Sequence, residues 1–193
     1  LINDFALGDL DLYSDWSLYT GVVNLSGKIE QEGVRKLDLT GQFVPDSLYS
    51  DMQLQLDRFD LNVLQPYMQG VVTQLRGACS GQLELEGKLG DLSVNGQVEL
   101  PDAGFTLPVL NTDYQLQDVP TVRFSDSSIQ MAKVPIRDTR LGSKGTVELQ
   151  LAHDRLKNFD LDMQIQADKL LCMNTTSKDS PFYHGKAFGT GLI

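Results

Sequence analysis

The sequence predicts an all-β protein: an elongated antiparallel sheet with one apolar face and one short helix. The first observation is the alternation of apolar and polar residues through residues 81–100, GQLELEGKLGDLSVNGQVEL, the pattern of two strands that each expose one side to solvent. The second is the glycine-bounded turn at residues 87–91 between them. The third is that helical spacing of apolar residues is confined to residues 60–69.

The same alternation predicts strands along the rest of the chain. It covers residues 5–12, 23–29, 37–43 and 52–56 upstream, and residues 114–116, 122–124, 129–131, 134–136, 147–151 and 159–165 downstream. Pro108, Pro120 and Pro135 separate the short downstream segments, and a residue without an N–H favours edges and turns over the centre of a sheet. We therefore expect several separate short strands there.

The helix is expected to have only one or two turns. Leu61, Leu64 and Met68 are spaced by three and four residues, with Asp60 or Asn62 as the cap. Pro66 is tolerated only near the start of a helix, which limits its length.

An internal repeat predicts a single elongated β domain over residues 1–193. Residues 51–59, DMQLQLDRF, match residues 162–170, DMQIQADKL, and the downstream segment 80–87 is similar to 184–191. The repeated units cover about residues 51–91 and 162–193. Repeated strand units that each contribute an apolar stripe build a sheet that grows along one axis.

Composition restricts the class of function. The 16 basic and 26 acidic residues give a net charge of −10, which disfavours nucleic acid as a partner. The chain carries neither an apolar run of about 20 residues nor a signal-peptide pattern, so we expect a fragment whose membrane anchor lies outside it. Cys79 and Cys172 are expected to be structural thiols.

The sequence contains no constellation that predicts an enzyme, a cofactor or a metal site. His153 and His184 lack a carboxylate or cysteine at ligand spacing. Glu84 and Glu86 share a strand face, but strands throughout the chain carry similar solvated charges. The glycines of residues 87–96 are followed by neither a helix nor a Lys-Ser/Thr pair, so they do not form a phosphate-binding loop.

Several segments resemble the C-terminal conserved region of the TamB family, the subunit of the bacterial translocation and assembly module. The longest runs from residue 60 to residue 105, and the others are LNTDYQL at 110–116, TVRFSDSSIQM at 121–131 and ADKLLCMNTTSKDSPFYHGKAFGTG at 167–191. The resemblance covers about residues 34–193. In style the sequence is similar to the TamB-like proteins of the Bacteroidetes group.

The resemblance implies a fold, a location and partners. The implied fold is a curved sheet folded along its length into a trough, taco-like or an open barrel, with an apolar concave face. TamB and its AsmA-like relatives are anchored in the inner membrane, cross the periplasm and meet a BamA-like barrel protein at the outer membrane. The implied roles are phospholipid transport between the membranes and assembly or secretion of outer-membrane proteins, with lipid or barrel precursors as cargo.

The apolar phase of the strands is the candidate surface for lipid or other cargo. An acyl chain of about 16 carbons costs roughly 12 kcal/mol to expose to water, so a carrier needs a continuous apolar path. Barrel precursors would instead pair with an open sheet edge. The candidate residues of the path are Leu83, Leu85, Leu92, Val94, Val98, Leu100, Val147, Leu149, Leu161, Met163 and Ile165.

Three other interpretations remain open from the sequence. The alternating face is also typical of the closed core of a sandwich or barrel. A structural or adhesive β-module that binds glycans or proteins would use exposed aromatic residues, for which Trp16 and Tyr13 are the nearest pair. A hydrolase on a β scaffold has no residues in its favour.

Overall fold

The computed structural model describes residues 8–68, 72–179 and 182–192. These residues form fourteen strands and one 3-10 helix at Leu61–Met68. The strands are β1 (Asp9–Ser17), β2 (Val22–Gln31), β3 (Val34–Val44), β4 (Tyr49–Asp60), β5 (Thr73–Arg76), β6 (Ala78–Lys88), β7 (Asp91–Glu99), β8 (Gly104–Leu107), β9 (Thr112–Leu116), β10 (Thr121–Ser125), β11 (Ser128–Asp138), β12 (Lys144–Asp154), β13 (Lys157–Thr175) and β14 (Gly185–Leu192).

All fourteen strands belong to one antiparallel sheet that is open. Its main path runs β1-β2-β3-β4-β6-β7-β10-β11-β12-β13-β14, mostly through hairpins between neighbours in the chain. The two outer strands, β1 and β14, do not pair with each other in the part of the chain that is described. The predicted all-β fold, with an open trough in place of a closed barrel, is confirmed.

A crease divides the middle of this sheet into two arms. Strand β11 pairs with β10 through its first half and with β9 through its second half, where β9, β8 and β5 form a short arm. Only Gly77 separates β5 from β6, and these two strands run in the same direction. Strands β7 and β8 also share a direction, because β7 is antiparallel to β6 and β8 is antiparallel to β5. The sheet is therefore folded across its strands.

Prolines occupy the crease. The carbonyls of Pro101, Pro120 and Pro135 accept hydrogen bonds from the N–H groups of Ala78, Leu100 and Gln117 at 3.0, 2.9 and 2.9 Å. A proline has no N–H to donate, but its carbonyl can still accept a hydrogen bond from a neighbouring segment on one side. The expectation that residues 129–131 and 134–136 form separate short strands at an edge was wrong, because both lie in the continuous central strand β11.

The core fills the angle between the two arms. Tyr114 and Leu116 of the short arm lie in one buried apolar cluster with Val98, Val122 and Val147 of the main path. The Tyr114 hydroxyl also donates to the carbonyl of Leu171 in β13 at 2.6 Å. The concave side of the folded sheet is thus the apolar side.

The short helix closes one end of this core. Asp60 is its cap, since its carboxylate accepts the Asn62 N–H at 2.8 Å. Leu61 is buried in the core, and its N–H donates to the Gly77 carbonyl at 3.0 Å. The predicted helix near residues 60–69 is confirmed, in the tighter 3-10 form and with Pro66 inside it.

Candidate hydrophobic groove

Strand register assembles the alternating residues into one surface, here called the apolar face. Directly paired residues of neighbouring strands point to the same side of a sheet. Following the pairs from β1 to β13 gives two rows, each crossing ten strands and containing only apolar residues and glycine. The rows are Leu10, Ile29, Leu37, Leu56, Gly81, Val98, Val122, Met131, Leu149 and Met163, and Leu12, Gly27, Leu39, Leu54, Leu83, Gly96, Phe124, Ile129, Leu151 and Leu161.

The opposite side of the same strands carries an unbroken polar row. The row that lies between the two apolar rows contains only charged residues and glutamine: Asp11, Lys28, Asp38, Gln55, Gln82, Gln97, Arg123, Gln130, Gln150 and Asp162. Within it Lys28 lies 3.3 Å from Asp11 and 2.8 Å from Glu30, and hydrogen bonds to Glu30 and Asp11 raise the pKa of the lysine. In these three rows, the ionisable groups therefore all lie on the face of the sheet opposite the apolar face.

The register brings the sequence-predicted residues together on the apolar face. Leu83, Val98, Leu149 and Met163 lie in the two rows, Leu85 pairs with Val94, and Val147 pairs with Ile165. Leu92 pairs with Gly87 at the end of the same face, and Leu100 packs against the core just beyond β7. Leu161 pairs with Leu151 through its backbone, and its side chain lies outside the described part of the structure.

Burial divides the apolar face into a filled middle and exposed outer strands, where Met163 of β13 is 40% exposed and the residues of β1 are more exposed still. Val94, Val98 and Val147 are buried, and Val98 and Val147 lie in the core cluster that the short arm and the 3-10 helix form with the middle of the sheet. Their side chains are core residues and offer no free surface to a ligand. Towards β1 the cover ends, and Leu10, Leu12 and Trp16 are 64, 56 and 63% exposed. We call the apolar side of β1 and β2 the open end.

The residues of the open end were absent from the predicted site, although a signal for them existed. Leu10 and Leu12 alternate in the same phase as the predicted residues and continue both rows. The pattern identifies the face of each strand, but it does not reveal which part of that face another segment covers.

A hollow of about 840 Å³ lies on the polar side of β3, β4, β6 and β7. Its walls carry Arg35, Asp57, Glu84 and Glu99. Leu56 also lines the hollow, but the charged side chains around it suit a polar molecule better than an acyl chain. The hollow is therefore distinct from the candidate groove.

A polar cluster fixes the outer side of the short arm. Arg76 contacts the Asp113 carboxylate at 2.7 Å, and Thr106 and Thr139 donate to the same carboxylate at 2.8 and 2.5 Å. Burial alone would raise the pKa of Asp113, but hydrogen bonds from Thr139, Arg76 and Thr106 outweigh it and hold the pKa below the ordinary value of 3.8. The cluster ties β5, β8 and β9 to the turn after β11.

The structure places Cys79 and His153 in packed environments. Burial, with a smaller contribution from Asp60, raises the pKa of the half-buried Cys79 thiol to about 11, which makes it a poor nucleophile. His153 is buried against Phe159, with ring centroids 5.9 Å apart. Across residues 8–68, 72–179 and 182–192, His, Cys, Asp and Glu form no group of three that could hold a metal ion.

The two aromatic residues considered for glycan binding lie on opposite sides of β1. Tyr13 pairs with Ser26 and Trp16 pairs with Val23, so an odd spacing separates them in a regular strand. Trp16 belongs to the apolar face and Tyr13 to the polar side. The pair cannot stack on one sugar ring.

No protein family, curated protein or solved structure matches this chain. Within the described residues, none of the helical structure is long and apolar enough to span a bilayer.

Proposed function

We propose that this chain is a non-enzymatic periplasmic protein of envelope biogenesis, whose apolar face carries phospholipid acyl chains between the inner and outer membranes. The observation that carries the proposal is the pair of unbroken apolar rows, exposed at the open end. At about 0.8 kcal/mol per methylene, an acyl chain would gain from contact with the exposed apolar residues of the open end, such as Leu10 and Leu12. A charge in the path would remove that gain, and the rows contain none.

The location and partners in this proposal rest on the resemblance to the TamB family. That resemblance implies a periplasmic protein that is anchored in the inner membrane and contacts a BamA-like barrel protein. The acidic surface, with a net charge of −10, favours neutral over anionic lipid as cargo. A charged headgroup would remain in water at the rim while the acyl chains occupy the face.

The unpaired outer strands support a second candidate function, the assembly of outer-membrane barrel proteins. Strands β1 and β14 each have a neighbour on one side only among the described residues. An edge of this kind pairs with an incoming strand through backbone hydrogen bonds, without demand on its sequence.

A matched pair of variants tests the lipid proposal. Leu12→Arg puts a charge on the apolar face at the open end, and Tyr13→Arg puts the same charge on the polar side one residue later; both positions are exposed. Native mass spectrometry after incubation with phosphatidylethanolamine in mild detergent should show bound phospholipid in the wild type and in Tyr13→Arg. Leu12→Arg should lose at least about tenfold in occupancy, because a buried unpaired charge costs several kcal/mol.

Two results would count against acyl-chain binding. One is equal phospholipid occupancy in the two variants. The other is a wild-type protein that carries no bound phospholipid after the incubation in detergent. If barrel-precursor strands crosslinked to β1 or β14 in that second case, the assembly function would replace lipid transport. Thermal denaturation of both variants controls for loss of the fold.

A further inference from the structure

The hairpin turns along one end of the strands form a surface that we call the turn rim. Strands β1, β3, β6, β10 and β12 all run in the same direction, because each is antiparallel to the strands between them. The turns that follow these strands therefore lie side by side. They are residues 17–22, 44–49, 88–91, 125–128 and 154–157.

Four of these five turns expose a large apolar side chain at the tip. Leu18 and Tyr19 are 82 and 103% exposed, and Leu48, Leu89 and Leu156 are also largely or partly exposed. Surface turns normally carry Gly, Asn, Asp, Ser or Pro. An apolar residue repeated at one turn after another indicates a surface that leaves water when the protein works.

Backbone conformation makes two of these leucines still less expected. Leu48 and Leu156 have φ values of 55 and 61°, in the left-handed region. Glycine or asparagine would hold the same turns with less strain, since leucine costs roughly 1 kcal/mol or more there. The backbone conformation of the turn therefore does not account for a leucine at either position.

The turns contact one another across the rim. The Leu89 N–H donates to the Leu48 carbonyl at 2.8 Å, which joins the turns after β6 and β3. Arg155 contacts Asp91 at 2.5 Å, which joins the turns after β12 and β6. The turns after β3, β6 and β12, which carry Leu48, Leu89 and Leu156, are thus joined in one edge.

Charges of both signs lie between the apolar tips in nearly equal number. The cations are Lys88, Arg155 and Lys157, and the anions are Asp46, Asp91, Asp126 and Asp154. The rim is therefore close to neutral, although the chain as a whole carries −10. Interspersed charges complement headgroups that carry both a phosphate and an amine, and they do not attract a strongly anionic surface.

We propose that the turn rim docks on a zwitterionic phospholipid bilayer, with its leucines and Tyr19 inserted at the headgroup boundary. Side chains that are separated by charges suit a fluid interface, which accommodates each tip independently. Tyr and Trp favour the same depth, and Trp16 of the open end lies two residues before Leu18. The inference rests on the proposed lipid function and deepens it, because docking would place the open end beside the lipid that enters it.

The chain's single tryptophan provides the measurement. Trp16 is 63% exposed, so its emission should shift to the blue when vesicles of phosphatidylcholine and phosphatidylethanolamine are added, and brominated lipid should quench it. The triple variant Leu18→Ser, Leu48→Ser, Leu89→Ser should bind these vesicles at least about tenfold more weakly, since three apolar side chains no longer enter the interface. The same binding is measured by flotation.

The matched control removes exposed apolar side chains from the other end of the strands. Val34, Val109 and Leu141 lie at or beside the turns after β2, β8 and β11 and are comparably exposed. Val34→Ser, Val109→Ser, Leu141→Ser should leave vesicle binding unchanged. Equal losses of vesicle binding in the two triple variants would overturn the proposal, and so would a wild-type protein that does not bind vesicles. Binding that requires anionic lipid would also overturn it. So would self-association through the rim that persists when vesicles are added.

Loading from detergent separates failure of docking from failure of the lipid function. The Leu18→Ser, Leu48→Ser, Leu89→Ser variant should still bind phospholipid supplied in detergent, because its apolar face is intact, while it loads poorly from vesicles. If the wild type takes up phospholipid from detergent but does not bind vesicles, the docking proposal is wrong and the lipid-binding groove is still supported. If the wild type binds vesicles but never retains lipid, the groove is wrong.

Discussion

Arg58 and Lys169 occupy the same position in two β-bulges that lie 111 residues apart. Arg58 in β4 has φ of 47° and Lys169 in β13 has φ of 57°. The Arg58 N–H donates to the Ser80 hydroxyl at 2.9 Å, and the Lys169 N–H donates to the Thr190 hydroxyl at 3.2 Å. In each case the pairing register shifts across this residue, between Leu56 and Phe59 of β4 and between Asp168 and Leu170 of β13. The two matching sequence segments therefore bend their strands by the same device.

Removing either hydroxyl should weaken the bulge that it satisfies. We expect Ser80→Ala and Thr190→Ala each to lower the free energy of unfolding by about 0.5–1 kcal/mol, because a backbone N–H loses its partner at a partly exposed site. Urea denaturation followed by circular dichroism measures the change. Ser26→Ala, on the exposed polar side of β2, is the control and should change stability by less than about 0.5 kcal/mol.

The Tyr114 hydroxyl should matter more, because its hydrogen bond to Leu171 is buried. Tyr114→Phe leaves the aromatic packing in place and the Leu171 carbonyl unsatisfied, so we expect a loss of about 1–2 kcal/mol in the free energy of unfolding. Tyr13→Phe removes the hydroxyl of an exposed tyrosine and should be neutral. If the two variants melted alike, the hydroxyl would not hold the short arm to β13.

Stability should decline below about pH 4, partly through Asp113. Its pKa in the fold lies below that of the unfolded chain, so the carboxylate stabilises the protein above the unfolded pKa, and this contribution is lost as the pH falls through the folded pKa. Asp113→Asn should therefore be less stable than the wild type at pH 7, and the difference should shrink towards pH 3. A difference that stays constant across this range would exclude the linkage.

Cys79 should resist alkylation. With a pKa of about 11, about one thiol in a thousand is ionised at pH 8, against roughly a quarter in an unfolded chain. We expect iodoacetamide to modify Cys79 at least about a hundredfold more slowly in the folded protein than in urea, as measured by peptide mass spectrometry. Comparable rates in the two conditions would mean that the thiol is neither shielded nor neutral.

The face on which each side chain of a strand lies could be predicted from the sequence, because alternation with a period of two assigns successive residues to opposite faces. Leu83, Leu85 and Val94 were assigned to one side from alternation alone, and pairing places them there. The short helix was equally visible, since residues 60–69 break the alternation.

The crease and the burial of the middle could not be predicted. Pro101, Pro120 and Pro135 signal interruption, yet their carbonyls sustain pairing between strand segments that are distant in the chain. Local periodicity carries no information on which segment packs on a face, so buried Val147 and exposed Leu12 look the same in the sequence. Coverage is decided by the long-range contacts of Tyr114 and Leu116.

The unbroken apolar rows constrain how the length of this chain can vary. One residue inserted within a strand would turn every later side chain of that strand over, moving Glu84 into a row and Leu83 into water. Two inserted residues would keep the phase, and residues added to a turn would leave both neighbours unchanged. A single extra residue survives only where a bulge absorbs it, as beside Arg58 and Lys169. Length changes among proteins that share these rows should therefore fall in turns, come in pairs within strands, or bring a bulge with them.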